Sequence, residues 1–191
     1  MCPSKMLGQA KAATFDFRNC NKFRILYIMT IKEILDGFHE ENTINADTIT
    51  AIQNDDAIRL SLVNYFRTNH DREFALALLN KFIAIRVSAD NEELSNGTMP
   101  MEDLMLSCYI LALHNHIEDA LKIWEAKYAD FDTYCGVDGQ LIVFAGVKET
   151  IAFLEKQTTE EANKALQYII NHGDFDDLEE YFSPNQLPYF I

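Results

Sequence analysis

The 191-residue sequence contains few cysteines and no long apolar run. Its four cysteines include no Cys-x-x-Cys pair, which excludes a disulfide framework and predicts reduced thiols in a cytoplasmic protein. The longest apolar candidate, Leu141–Val147, is far shorter than the ~18 residues that a membrane-spanning helix needs. A chain of this length is enough for one domain that buries about 70% of the surface its unfolded form exposes.

Basic residues are also scarce. The sequence has 16 Lys and Arg against 30 Asp and Glu, and its net charge is −14. Nucleic acid is therefore not an expected partner, because binding to phosphates requires Lys and Arg side chains that release counterions. An acidic surface instead attracts basic partners. We expect a basic protein as partner and neither nucleic acid nor membrane.

Signatures of catalysis and metal binding are missing as well. The sequence has no Gly-rich phosphate loop, no Gly-x-Ser-x-Gly elbow and no paired-histidine metalloprotease motif. His114 and His116 would point about 200° apart on a helix, so they are poorly placed to share a zinc ion. Asp130-x-Asp132 begins like a calcium loop, but the closing glutamate is absent. We expect no enzyme, metal or cofactor. A metal-dependent hydrolase that uses Asp130, Asp132 and Asp138 remains the alternative.

Residues 1–28 differ in composition from the remainder, since they contain five basic residues and one acid. Met29 begins a stretch typical of a helix start, with Thr30 as a capping residue. We interpret 1–28 as an atypical basic N-terminal arm, and translation that starts at Met29 is one explanation of it. Residues 29–191 are predicted to form a single all-helical domain.

One helical phrase recurs at intervals of 45 residues. Its copies contain the pairs Ala75-Leu76, Ala120-Leu121 and Ala165-Leu166. In the second copy, Ile117–Tyr128, helical spacing puts Trp124 and Tyr128 on one buried stripe and Lys127 outside it. We take this copy as the organising helix. The repeat predicts an all-α fold of stacked antiparallel helical hairpins, similar to α-solenoids of the HEAT or TPR type with a period of about 45 residues.

Capping residues and glycines predict where the helices begin and end. N-terminal caps are expected at Thr30, at Asn45 or Asp47, at Asp55, at Asp71, at Thr158 with Glu161 as a capping box, and at Asp174. Gly37 is predicted to end the first helix, and Ser88–Pro100 and Phe131–Gly139 are predicted loops. Gly146 is interpreted as a helical glycine at a close helix crossing or at the backbone of a partner. The apolar tail Asn185–Ile191 is expected to dock onto the body.

Two segments combine acids with aromatic residues, a composition suited to a basic protein partner. The candidate binding residues of the first segment are Asp130, Asp132, Tyr134 and Asp138. Those of the second segment are Asp174, Asp176, Asp177, Glu179 and Glu180. A short helix with a solvated acidic face is the simpler interpretation of the second segment.

Two resemblances add to this interpretation. The span Leu104–Phe131 resembles a tetratricopeptide hairpin, although it lacks the usual tyrosine and closing proline. The acidic, aromatic-containing stretch Glu102–Phe182 is similar in character to the small helical immunity proteins of bacterial polymorphic toxin systems. That resemblance implies a cytoplasmic inhibitor that covers the active site of a toxin and has no catalytic residues. A helical-repeat adaptor for another protein is the second hypothesis.

Overall fold

The computed structural model describes residues 29–88 and 99–191, and within these ranges the chain is all-helical and contains no strand. These described residues form ten α-helices: α1 (Ile31–Glu41), α2 (Ala46–Asn54), α3 (Asp56–Phe66), α4 (Arg72–Ser88), α5 (Met101–Ala112), α6 (Asp119–Lys127), α7 (Phe131–Gly136), α8 (Val147–Leu154), α9 (Glu160–His172) and α10 (Leu178–Tyr181). The prediction for residues 1–28 and most of the predicted loop Ser88–Pro100 lie outside the described residues.

Side-chain caps start several helices where the sequence predicts them. Thr30 forms a reciprocal capping box with Glu33, and the side chains of Asn45 and Asp55 accept from backbone N–H groups in the first turns of α2 and α3. The Asp71 carboxylate accepts from the Phe74 N–H at 3.0 Å and so caps α4. These four predictions are confirmed, because a cap depends only on residues within one helical turn.

Other predicted boundaries are wrong. Helix α1 continues past Gly37 and ends at Asn42, which adopts the left-handed conformation with φ 51°. The cap of α9 is Thr159, one residue later than predicted. Asp174 caps no helix, since α10 begins after Asp177. Gly146 lies at the start of α8 with φ 107°, a conformation that L side chains rarely adopt, so backbone geometry explains this glycine.

The most buried element is α5, and this corrects the choice of the second repeat copy as organiser. Every residue of α5 from Asp103 to Ala112 is buried. Helix α5 packs against α3, α4 and α6 and against a 3₁₀ turn at Gly139–Leu141. A helix that is apolar on all sides is expected at the centre of a domain.

The three repeated Ala-Leu pairs lie in α4, α6 and α9, and α6 contacts both of the other two helices. Ala75, Ala120 and Ala165 are fully buried. The segments between these helices differ in their described residues: α5 lies between α4 and α6, whereas α7, the 3₁₀ turn and α8 lie between α6 and α9.

The C-terminal tail docks onto the body as predicted. Phe190 is buried, and its carbonyl accepts from the Arg59 guanidinium of α3. The same guanidinium pairs with Asp103 of α5, and both side chains are almost fully buried. Arg67, at the end of α3, donates to the carbonyls of Pro184 (2.9 Å) and Gln186 (2.5 Å). Two arginines thus connect the tail to α3.

Candidate protein-binding surface

The first acidic segment is largely helical, which corrects the predicted loop at Phe131–Gly139. Asp130 caps α7 through a reciprocal capping box with Thr133. Arg86 of α4 donates to the Asp130 carboxylate at 2.5 and 3.2 Å. The Arg86 guanidinium, together with the Thr133 hydrogen bonds, holds the pKa of Asp130 at about 2. Asp130 therefore stays ionised at neutral pH and fixes the start of α7.

The residues next to Asp130 face the solvent. Asp132 is 75% exposed, and its carboxylate lies 3.7 Å from Arg86, the outer edge of ion-pair distance. Phe131 is 79% exposed, which is unusual for a side chain of this size. This corner of the protein presents a free aromatic ring beside a carboxylate.

Asp138 lies at the other end of the segment in a half-buried position. Its carboxylate accepts from the Tyr181 hydroxyl at 2.9 Å. Burial raises the pKa of Asp138 above its usual range, while the Tyr181 hydroxyl and the nearby Lys127 ammonium oppose that rise. Asp138 is thus a structural contact between the first segment and α10 and is only partly accessible to a partner.

Lys127 is the least expected feature of this region. Sequence periodicity predicts an exposed side chain, but only 1% of Lys127 is accessible. Its ammonium donates to the carbonyls of Tyr134 and Val137, each at 2.6 Å, and lies 4.8 Å from the ring centroid of Tyr168. Burial lowers its pKa from the ordinary lysine value. Lys127 satisfies carbonyls at the C-terminal end of α7 and so holds α7 against α6.

The second acidic segment is mostly solvent-exposed. Asp177 accepts from the Gln140 amide at 2.8 Å. Within the described parts of the chain, no ion pair or side-chain hydrogen bond involves the other four predicted binding acids: Asp174, Asp176, Glu179 and Glu180. Acids without compensating cations leave a negative potential at this surface.

The structure brings the two acidic segments together. Gln140 binds Asp177, Tyr181 binds Asp138, and Gly139 lies close to Phe175. A Cβ atom at Gly139 would lie 3.0 Å from the Phe175 ring, so a larger residue would press against this contact. We call the resulting surface, formed by residues 131–140 and 174–180, the acidic patch. Asp130 and Asp138 support the acidic patch, whereas Asp132 and the acids of the second segment are accessible.

Tyr134 belongs to an aromatic cluster that sequence analysis did not predict. Its ring lies 6.4 Å from Trp124 and 5.8 Å from Tyr168. Trp124 is only 2% exposed, which confirms its predicted burial. Tyr128, predicted on the buried stripe, is instead 49% exposed and stacks on Trp124 with a centroid distance of 5.3 Å. The sequence spacing places Tyr128 on the same helix face as Trp124, but it does not indicate that Tyr128 is exposed.

The three carboxylates of the hydrolase alternative do not converge. Asp130 and Asp132 face Arg86, while Asp138 faces Tyr181. In the residues that the structure describes, no cluster of three or more His, Cys, Asp and Glu side chains is placed to hold a metal ion. His114 is buried, and its two ring nitrogens contact the Ile110 carbonyl and the Asp71 N–H.

None of the described helices is long and apolar enough to cross a bilayer. No family model, curated protein or solved structure matches the chain.

Proposed function

We propose that this chain is a non-catalytic binding module for a basic protein, and that it acts as an immunity protein that binds and inhibits a cognate toxin. The supporting observation is the acidic patch, where four exposed acids have no cation within the described residues. Such acids attract a basic surface over a distance and raise the association rate. We propose a cytoplasmic location, because an immunity protein of this kind meets its toxin there.

The aromatic residues beside the acids supply the short-range part of the interaction. Phe131 is 79% and Tyr189 71% exposed, and rings that become buried in an interface are frequent sources of binding energy. Tyr134 is half-buried, so its ring contributes less accessible area than the ring of Phe131. We therefore propose Phe131 as the main anchor and Tyr134 as a secondary one.

The helical arrangement is the framework of this proposal. We propose that α4, α6 and α9 are equivalent elements of stacked hairpins, because each carries a buried alanine at an interval of 45 residues and α6 contacts the other two. Repeat proteins of this kind bind partners along an extended face. We propose neither nucleic acid nor membrane as a partner, given the net charge of −14.

The test uses the protein encoded by the adjacent gene, first in a growth assay and then in binding kinetics. Co-expression of this chain should relieve the growth arrest that the adjacent protein causes. The patch variant carries Asp174→Asn, Asp176→Asn, Glu179→Gln and Glu180→Gln. This variant should associate with the adjacent protein roughly tenfold more slowly at low salt. The effect should be much smaller near ~0.5 M salt, where exposed charges are strongly screened.

A matched control neutralises four exposed acids on α1–α3 and changes the net charge by the same amount. It carries Glu40→Gln, Glu41→Gln, Asp47→Asn and Asp56→Asn. Association of this control should stay close to that of the unmodified protein. Equal effects of both variants would contradict the patch as the binding site. An adjacent protein that is harmless to cells yet bound by this chain would favour the adaptor hypothesis over the immunity role.

A further inference from the structure

Three surface grooves meet at Tyr128, next to the acidic patch, and two of them share residues with it. The first, of about 450 Å³, runs along α9 and includes Tyr168 and His172. The second, of about 400 Å³, lies between the end of α4 and α6 and includes Val87. The third, of about 430 Å³, reaches Phe131. Tyr128 lines all three, and it is 49% exposed.

Aromatic rings form the floor of these grooves. Tyr128 stacks on Trp124 and meets Tyr134 edge-on, with centroid distances of 5.3 and 6.0 Å. Trp124 lines the first two grooves, and among residues 29–88 and 99–191 its buried indole N–H finds no hydrogen-bond partner. An orphaned buried donor is uncommon in a folded protein and is a polar group that a ligand acceptor can satisfy.

Carboxylates line the edges of the same grooves. Glu160 belongs to the first groove, Glu125 and Glu161 to the second, and Asp130 to the third. Aromatic faces attract cations through their quadrupole, and carboxylates attract them by charge. The chemistry of the combined site therefore favours a cationic group on an otherwise apolar ligand.

The chain itself already places a cation there. The Lys164 ammonium lies 5.1 Å from the centroid of the Tyr128 ring, 2.9 Å from Glu160 and 3.5 Å from Glu161. Glu160 and Glu161 are 77% and 61% exposed. Exposed pairs of this kind are weak, so a competing cation can replace the lysine.

We propose that these grooves are a docking site for an arginine-containing segment of a basic protein, in which the partner's guanidinium replaces the Lys164 ammonium over Tyr128. Arginine suits this place better than lysine, because its planar group stacks on the ring and donates two parallel hydrogen bonds to Glu160. The inference rests on the proposed function in one respect, since both assume a basic protein as partner.

The test measures binding of a short peptide of alternating arginine and glycine to the full chain. Trp124 is the only tryptophan and contacts Tyr128, so its fluorescence reports on the grooves. The arginine peptide should change the emission in a saturable way. A peptide with citrulline, which has the shape of arginine without its charge, should not.

Two variants give opposite expected results. Lys164→Ala should tighten peptide binding roughly two- to fivefold, because it removes the competing cation. The control Lys32→Ala removes a comparable exposed pair with Asp36 on α1 and has the same net charge as Lys164→Ala. It should change peptide binding less than Lys164→Ala does.

Tyr128→Leu should weaken peptide binding roughly two- to fivefold, while Tyr128→Phe should preserve it.

Equal effects of Lys164→Ala and Lys32→Ala, or unchanged binding by Tyr128→Leu, would overturn the inference. The patch variant separates this failure from failure of the proposed function. If the adjacent protein depends on the acidic patch but not on Tyr128, the groove inference is wrong and the proposed function stands. If the peptide results hold while the adjacent protein neither binds nor arrests growth, the immunity proposal is wrong and the groove site stands.

Discussion

Replacement of Arg59 with methionine should strongly destabilise the fold. Arg59 and Asp103 are a buried ion pair with 7% and 3% of their side chains exposed. Methionine fills much of the apolar volume of arginine but leaves the Asp103 carboxylate buried without its cation. It also leaves the Phe190 carbonyl without its donor. Removing one partner of a buried pair costs about 3–5 kcal/mol, so we expect a loss in that range.

The pH dependence distinguishes an uncompensated charge from simple loss of packing. Burial raises the pKa of Asp103, while Arg59 opposes that rise. The pKa of Asp103 is higher in the folded state than its unfolded-state value of about 3.9, so protonation favours folding. The free energy of unfolding therefore falls as the pH rises through the folded-state pKa of Asp103. Without Arg59 the pKa rises further. The loss caused by Arg59→Met should therefore be smaller at about pH 5 than at about pH 7.5.

Urea denaturation followed by Trp124 fluorescence measures both effects. The double variant Arg59→Met with Asp103→Leu should recover most of the loss, because an apolar replacement of a buried pair is often neutral. About 1–3 kcal/mol should remain if the Phe190 carbonyl stays unsatisfied. The exposed Lys32→Met variant is the control and should change stability by less than about 1 kcal/mol. A single-variant loss below ~1 kcal/mol, or one that does not depend on pH, would refute the reasoning.

Three further predictions concern buried side chains. The buried neutral form of His114 accepts from the Asp71 N–H, and burial lowers its pKa. The stability from this contact should be present above the unfolded-state pKa of about 6.5 and should be lost as the pH falls through the folded-state pKa of His114. In urea melts, the stability of His114→Gln should therefore depend less on pH between about 7 and 5 than that of the unmodified protein. Trp124→Ala should cost roughly 3–5 kcal/mol in a thermal or urea melt, and native emission at a water-like wavelength would contradict its burial. Lys127→Met should cost about 1–3 kcal/mol, because the carbonyls of Tyr134 and Val137 lose a charged donor; an unchanged urea midpoint would contradict that role.

The sequence predicts four helix starts correctly because an N-terminal cap depends on local information. The caps at Thr30, Asn45, Asp55 and Asp71 involve contacts within three residues, and such contacts can be recognised without a fold. The central position of α5 could also have been predicted, since Leu104–Leu113 is apolar on nearly every face. The 45-residue repeat and the single tryptophan both indicate α6 as the central helix instead.

The candidate surface could be predicted only in part. Acids and aromatic residues close together in sequence remained close in space, but the contact between the two segments depends on Gly139, Gln140 and Tyr181. Periodicity failed at the end of α6, where it predicted Tyr128 inside and Lys127 outside. Adjacent helical residues point about 100° apart, so burial of one sets the position of the other. The carbonyls that make Lys127 buried come from α7, and no local pattern indicates them.

Charged side chains hold both ends of α7, the short helix at the candidate surface. A helix of six residues is too short to be stable by itself, since nucleation fixes several dihedral angles for few hydrogen bonds. Asp130 satisfies its N-terminal end and is held by Arg86, whereas Lys127 satisfies carbonyls at its C-terminal end. A negative group at the start and a positive group at the end both match the helix dipole. Phe131 and Asp132 are thus positioned by contacts at both ends of α7. A substitution at Arg86 or Lys127 should therefore displace this part of the candidate surface.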